Sequence, residues 1–282
     1  MSMVALYTHA ACLAHEPGAG HPESPQRLEA VLAALDHDRF RGLERFEAPS
    51  ATRAHILLAH APELVDAIFA AAPQQGQIRI DADTAMSSGS LDAALRAAGA
   101  VIAAVDGALD GHHARAFCAV RPPGHHATYA QSMGFCLFNN VAIGAAHALA
   151  RGLERVAIVD FDVHHGNGTQ DVFWNETRVL YASTHQFPLY PGTGARAERG
   201  VGNIHNVPLP AGATGVEFRA AFVESVLPAL ERFEPQLVMV SAGFDAHRLD
   251  PLANLNLDTA DYTWATEVLL DVARRHAQGR FV

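Results

Sequence analysis

The chain has 282 residues, 49% of them hydrophobic and 18% charged, which is enough apolar material for a sizeable buried core. The net charge is −10 and no basic cluster stands out, so a direct nucleic-acid partner is not expected, although a cationic substrate such as a lysine-rich peptide or a polyamine suits the charge. The amino terminus has no basic stretch leading into an apolar core, and Asp, Arg or His interrupts the longest Ala/Val/Ile-rich runs; neither a signal peptide nor a membrane span is expected, and the chain reads as cytoplasmic.

Val4 to Tyr7 opens as a short strand. Ser24-Pro25 starts a helix, with Ser as N-cap and Leu28, Val31, Leu32 and Leu35 on one face. Pro62 to Ala72 reads as a second helix, and Gly89-Ser90-Leu91 leads into a long Ala-rich one through Val105. Phe117 to Val120 is a strand, and Leu137 to Ala150 a helix stopped by Gly152. Val156 to Phe161, Val179 to Ser183 and Asn203 to Val207 are strands, and Gly215 to Phe233 is a helix. Leu237 to Ser241 is a strand, and Thr259 to Ala277 a helix ended by Gly279. Arg280-Phe281-Val282 looks like the first half of one more strand, so a carboxyl-terminal truncation is expected. The alternation of strands and helices predicts an α/β fold with three αβα layers and a mostly parallel sheet. No repeat or linker divides the chain, so one domain over 1–282 is expected. Cys12, Cys118 and Cys136 lie far apart without CxxC spacing, which suits buried apolar thiols in a reducing compartment.

Three strand-to-loop junctions concentrate polar residues: Arg121 to Ala127, Asp160 to Gln170 and Ser241 to Pro251. Sites in α/β sheets form where strand carboxyl ends meet. At the second junction Asp160, Asp162 and His164 alternate, and continued strand geometry would point all three to one face, as half of a divalent metal site. Asp162, His164 and Asp245 supply two carboxylates and an imidazole, the three ligands that a catalytic zinc needs beside an open position. Two carboxylates leave the ion less positive than three histidines would, so a separate base is useful, and His125 and His126 are candidates. Asp160 and Asn167 are candidate partners: an Asp partner favours imidazolium, an Asn partner a neutral ring that accepts a proton. His112-His113 reads as loop decoration, and His185, His205 and His247 as structural.

Together the junctions resemble the histone deacetylase superfamily, which includes acetylpolyamine amidohydrolases and bacterial deacetylase-like amidohydrolases. Gly20-His21-Pro22-Glu23-Ser24-Pro25-Gln26-Arg27-Leu28, Gly134-Phe135-Cys136-Leu137-Phe138-Asn139-Asn140 and Tyr190-Pro191-Gly192-Thr193-Gly194 extend the resemblance over essentially the whole chain. It implies an arginase-like fold, zinc on Asp162, His164 and Asp245, and potassium near Asp160, Asp162, His164 and Ser183. It pairs His125 with Asp160 and His126 with Asn167, the Asn being similar to the class II branch. In the same way Gly134, Phe135 and Tyr190 line an acyl-lysine tunnel and Asp83 matches a rim acid that holds substrate backbone. Leu252 stands where polyamine-preferring members carry a Glu gatekeeper, which argues for acylated lysine over acetylpolyamine. The implied activity is zinc-dependent hydrolysis of the acetyl amide of acylated lysine or a related acylated amine. Oligomeric state is left open, a homo-oligomer included. Arginase-type chemistry needs two bridged manganese ions and more acids than the sequence places. The chain stops before the family's Gly-Gly-Tyr segment, whose hydroxyl serves the oxyanion; loss of one such donor commonly costs about 10²–10³ in rate. The rival expectations are an acetylpolyamine or other small-amide hydrolase and, because that segment is absent, a zinc-binding fragment with impaired catalysis.

Overall fold

The computed structural model describes residues 4–282. In chain order its elements are β1 (Val4–Thr8), α1 (Pro25–Leu35), β2 (Glu44–Glu47), α2 (Arg53–Ile56), α3 (Pro62–Ala71), β3 (Gln77–Arg79), β4 (Ala85–Ser87), α4 (Ser90–Leu109) and β5 (Arg115–Cys118). There follow α5 (Asn140–Ala150), β6 (Val156–Asp160), α6 (Asn167–Val172), β7 (Val179–Gln186), β8 (Ile204–Leu209), α7 (Gly215–Ala221), α8 (Leu227–Phe233), β9 (Leu237–Ser241) and α9 (Thr259–His276). They form two compact units, one up to Ala148 together with Val282, the other from Leu149 to Phe281. Sheet strands are parallel in both units, β3–β4 being an antiparallel pair, so the expected mostly parallel α/β class is what the chain adopts.

In the first unit β1 lies between β2 and β5. Leu28, Val31, Leu32 and Leu35 of α1 pack with Leu6, Cys12 and Ala119, so the spacing of that helix's apolar face served as read. The Ala-rich face of α4 brings backbone close to backbone: a Cβ on Gly99 would lie 1.9 Å from the Pro49 carbonyl oxygen. A buried ion cluster anchors the end of the β5 segment. Arg121 pairs with Glu23 and also donates to the carbonyls of Cys12 and His15 at 2.8 and 3.0 Å. Burial alone would raise the Glu23 pKa, but His15 and Arg121 outweigh it and hold it below the ordinary value.

In the second unit the strand order is β8-β7-β6-β9. Every residue of β6 is buried, as expected of a parallel strand covered on both faces. Phe161, Leu180, Phe218, Phe222, Leu230, Leu269 and Val272 build the core on one side of it. Phe281 bridges Val238 in parallel, so the expected strand start at Arg280 does run beside β9.

Several boundaries differ from the sequence reading for local reasons. The helix expected from Leu137 begins at Asn140, because Asn139 caps it by accepting from the Ala142 N–H at 3.1 Å. The strand expected at Phe117–Val120 runs from Arg115 to Cys118. The helix expected over Gly215–Phe233 is two helices joined by a π turn, Phe222–Val226, because Pro228 has no N–H for the carbonyl four residues back. β2, α2, α6 and the β3–β4 pair went unread. Among the described residues no helix is long and apolar enough to cross a membrane, and all three cysteines are free.

Gly99→Ala tests the close approach of α4. Alanine gains up to about 1 kcal/mol in helix propensity, but overpacking against a fixed carbonyl costs about 1–3 kcal/mol. A net loss of roughly 1–2 kcal/mol is expected, read as a lowered urea midpoint; an unchanged or raised midpoint would contradict the packing.

Candidate metal centre and active-site residues

β6 and β9 are parallel neighbours in which Asp160 is opposite Ser241, so their carboxyl ends share one edge. The loop after β6 carries Asp162 and His164 there, and the loop after β9 carries Asp245. One ligand atom from each of these three lies within 4.8 Å of the others. His164 Nδ1 stands 3.0 Å from Asp162 Oδ1 and 3.0 Å from Asp245 Oδ2.

The strand pleat is not what aligns these side chains, contrary to the alternation argument. β6 ends at Asp160, and Asp162 and His164 lie in the loop beyond it. The loop is organised by a relay of side-chain-to-backbone bonds instead. Asp160 Oδ1 accepts from the Asp162 N–H at 3.1 Å, and Asp162 Oδ1 accepts from the His164 N–H at 2.8 Å. These are Asx-type bonds, in which a carboxylate captures the amide two residues on. Asp245 ties the two loops together by accepting from the Val163 N–H at 2.9 Å. Gly243 permits the approach, since a Cβ there would sit 1.9 Å from Asp162 Oδ2.

The field at this point calls for a cation. Burial alone would lower the His164 pKa, but its bonds to Asp162 and Asp245 push it up to about 10. Burial, followed by the Asp162 charge, raises the Asp245 pKa. Two acids crowded in a buried edge repel each other until a positive charge sits between them. For zinc with bonds of about 2.1 Å, tetrahedral donors lie roughly 3.4 Å apart, and the 3.0 Å gaps are of that order. Donor number, type and spacing therefore fit a divalent ion of the zinc kind.

The other expected residues of this unit have the following settings. Asp160 is fully buried and also accepts from the Tyr181 hydroxyl at 3.2 Å. Ser183 faces Asp160 across β6 and β7 and bonds the ring of His185 at 2.9 Å. The Tyr190 ring meets His164 edge-on, centroids 6.3 Å apart. Asn167 begins α6, and Leu252 is half-buried, its amide held by Asp250 at 2.9 Å.

In the first unit the rings of His125 and His126 lie 4.0 Å apart, both buried. His126 lies close against Gly134, where a Cβ would come within 2.4 Å of the imidazole. Phe135 takes a left-handed backbone conformation, φ 68°, which costs a non-glycine residue about 1–3 kcal/mol. Asp83 and Thr84 hold it there: Asp83 accepts from the Gly134 N–H at 3.2 Å and Thr84 Oγ1 from the Phe135 N–H at 3.1 Å. His21 stacks edge-on against the Phe135 ring at 4.6 Å. The supporting roles of Gly243, Thr84 and His21 were not read from the sequence. Only His21 and Gly243 had a signal, each sitting inside a quoted motif or junction.

Residues 21–282 match the histone deacetylase domain. A histone deacetylase-like amidohydrolase of Pseudomonas aeruginosa is 40% identical over 271 residues, covering 94% of this chain and 71% of that one. A probable deacetylase of Archaeoglobus fulgidus is 38% identical over 281 residues, covering 97% and 78%. Among solved structures, the crystal structure of the HDA15 HD domain superposes with a TM-score of 0.94 at 37% identity, over 99% of this chain and 81% of that one.

Gly243→Ala is expected to weaken zinc binding about 10–100-fold by displacing Asp162, the order of loss seen when a ligand's support is removed. Competition against a chromogenic chelator measures it. Wild-type affinity in this variant would show that Asp162 is not a ligand.

Proposed function

The chain belongs to the histone deacetylase family, and from that premise we propose that it hydrolyses the acetyl amide of N-acetyl-lysine side chains or related acylated amines in a zinc-dependent reaction. The products are acetate and a free amine. The observation that carries the reading is the Asp162–His164–Asp245 cluster at the shared carboxyl edge of β6 and β9. These residues would hold the zinc, which supplies Lewis acidity toward the amide carbonyl and the attacking water.

The protein groups account for the rest. We assign His126 as general base, taking a proton from water and returning it to the leaving nitrogen. We assign His125, kept cationic through Asp160, to the charge that develops on the carbonyl oxygen, and Asn167 as the partner that leaves His126 neutral. Phe135, Gly134 and Tyr190 form the acyl channel in this reading, and Asp83 its rim. Support for a shaped channel wall is the strained Phe135 backbone, held by two dedicated bonds.

Potassium fits beside the cluster in this reading. His185 donates its Nε2–H to the Gly194 carbonyl at 3.0 Å, so its Nδ1 accepts the Ser183 hydroxyl proton. That leaves the lone pairs of Ser183 Oγ for a hard cation, with Asp160, Asp162 and His164 as the other contributors. Three free thiols suit a reducing compartment such as the cytoplasm.

The test is acetate release from an acetyl-lysine peptide and from acetylspermidine by the protein. Chelation is expected to abolish turnover and zinc to restore it. The peptide is expected to be preferred, because Leu252 offers no charge to a polyamine. Asp162→Ala and His126→Ala should each lower kcat/KM by about 10³ or more, in line with the removal of a unit of catalytic machinery. Turnover retained in either variant would sink the mechanism, and preference for acetylspermidine would move the substrate class.

A further inference from the structure

A buried polar network joins the metal-ligand loop to the loop that carries Tyr190. Its donor and acceptor roles follow from one residue. Gln170 Oε1 accepts from the Asn206 Nδ2–H at 2.7 Å, so Gln170 Nε2 is the end that donates to Glu198 Oε2 at 2.6 Å. The same Oε1 lies 3.1 Å from His165 Nε2, which must then carry a proton. The Nδ1 of His165 lies 2.8 Å from the Thr193 hydroxyl.

Glu198 closes the other side. Its Oε2 also accepts from the Gly194 N–H and its Oε1 from the Ala195 N–H, both at 3.0 Å. The Gly194 carbonyl accepts from His185 Nε2–H at 3.0 Å. Thr193, Gly194 and Ala195 are thus pinned in succession. Gly194 has φ +95°, and a Cβ on it would lie 2.4 Å from His185 Nε2 and 2.6 Å from His165 Cγ, so both imidazoles close on bare backbone. Three residues upstream of Thr193, Tyr190 meets the His164 ring, and His164 is the chain neighbour of His165.

We propose that Glu198, acting through Gln170, His165 and the 193–195 backbone, is the positioning residue that holds Tyr190 against the metal centre. The inference rests on the proposed role of Tyr190 as a wall of the acyl channel. A carboxylate is required at 198 because it accepts three N–H bonds and offers none. A Gln there would turn its own N–H toward a donor. Burial works to raise the Glu198 pKa, but the three donors outweigh it and hold the group below the ordinary value. The clamp therefore stays anionic at neutral pH.

The experiment compares Glu198→Ala, Thr193→Val and Thr193→Ser with the wild type. It measures hydrogen exchange over 189–195, zinc affinity, and kcat and KM on the acetyl-lysine peptide. Glu198→Ala is expected to speed exchange in that segment at least about tenfold. KM should rise about tenfold, more than kcat falls, while zinc affinity stays within about twofold. Thr193→Val, which removes a single bond and spares the fold, should show the same pattern in smaller measure, and Thr193→Ser should restore the wild-type values. Unchanged exchange in both Glu198→Ala and Thr193→Val overturns the clamp. Faster exchange with unchanged KM overturns its link to substrate. If the wild type fails to deacetylate, the proposed function falls, and the exchange and zinc measurements still decide the clamp.

Discussion

The register of β6 against β9 is the constraint on which the metal centre depends. Parallel pairing places the carboxyl ends of both strands on one edge, and the loops that leave them must share that edge. Had the pair been antiparallel, Asp245 would emerge at the opposite end of the strand from Asp162. Once the ends coincide, the acids still have to be kept in a mostly buried place. Each does so by accepting a backbone N–H, Asp160 from residue 162, Asp162 from 164 and Asp245 from 163. Burial of a carboxylate without such donors costs several kcal/mol. The bonds that make the site tolerable are the same bonds that aim its side chains.

Close approach is bought by missing side chains at two points. Gly243 lets the β9 loop lie against Asp162, and Gly194 lets two imidazoles close on the Tyr190 loop. Neither contact follows from conformational freedom alone. At Gly243 the demand is spatial, a missing Cβ beside a carboxylate oxygen. At Gly194 it is both spatial and conformational, since φ is +95°. An Ala at either position changes one atom and displaces a functional side chain.

Apolar runs made the strands of the second unit legible, and the clustered residues Asp162, His164 and Asp245 stood out because two acids and a histidine beside an apolar strand have no packing use. The reason given for their convergence was wrong. Side-chain alternation stops where β6 stops, and the Asx relay that takes over has no periodic signature. β2 was missed because Glu-Arg-Phe-Glu shows a single apolar residue, its pairing being set by β1 alone. The helix break before Pro228 does have a signal in the sequence, the proline itself. Glu198 was not readable: in Ala-Arg-Ala-Glu-Arg-Gly it looks like a solvated loop acid, and only the folded chain shows three N–H groups converging on it.

Environment, not residue type, decides what the buried histidines do. His60 and His185 are buried among carbonyl, amide and hydroxyl partners, and desolvation lowers both to about 4. Each remains neutral and acts as a rigid spacer with one donor and one acceptor, His60 between the Thr128 carbonyl and the Asn139 N–H, His185 between the Gly194 carbonyl and the Ser183 hydroxyl. His164 is desolvated too, yet its two carboxylate neighbours reverse the sign and lift it to about 10. A position that holds a proton so strongly is one that favours positive charge. A divalent ion would satisfy the same two acids with a greater charge, with the imidazole lone pair as a further donor. A neutral spacer has no such exchange to make, because its partners are dipoles that a cation would have to break. His165, one residue from His164, bonds Gln170 and Thr193. Adjacent histidines in one loop thus differ in their bonded partners, His164 meeting two carboxylates and His165 an amide and a hydroxyl.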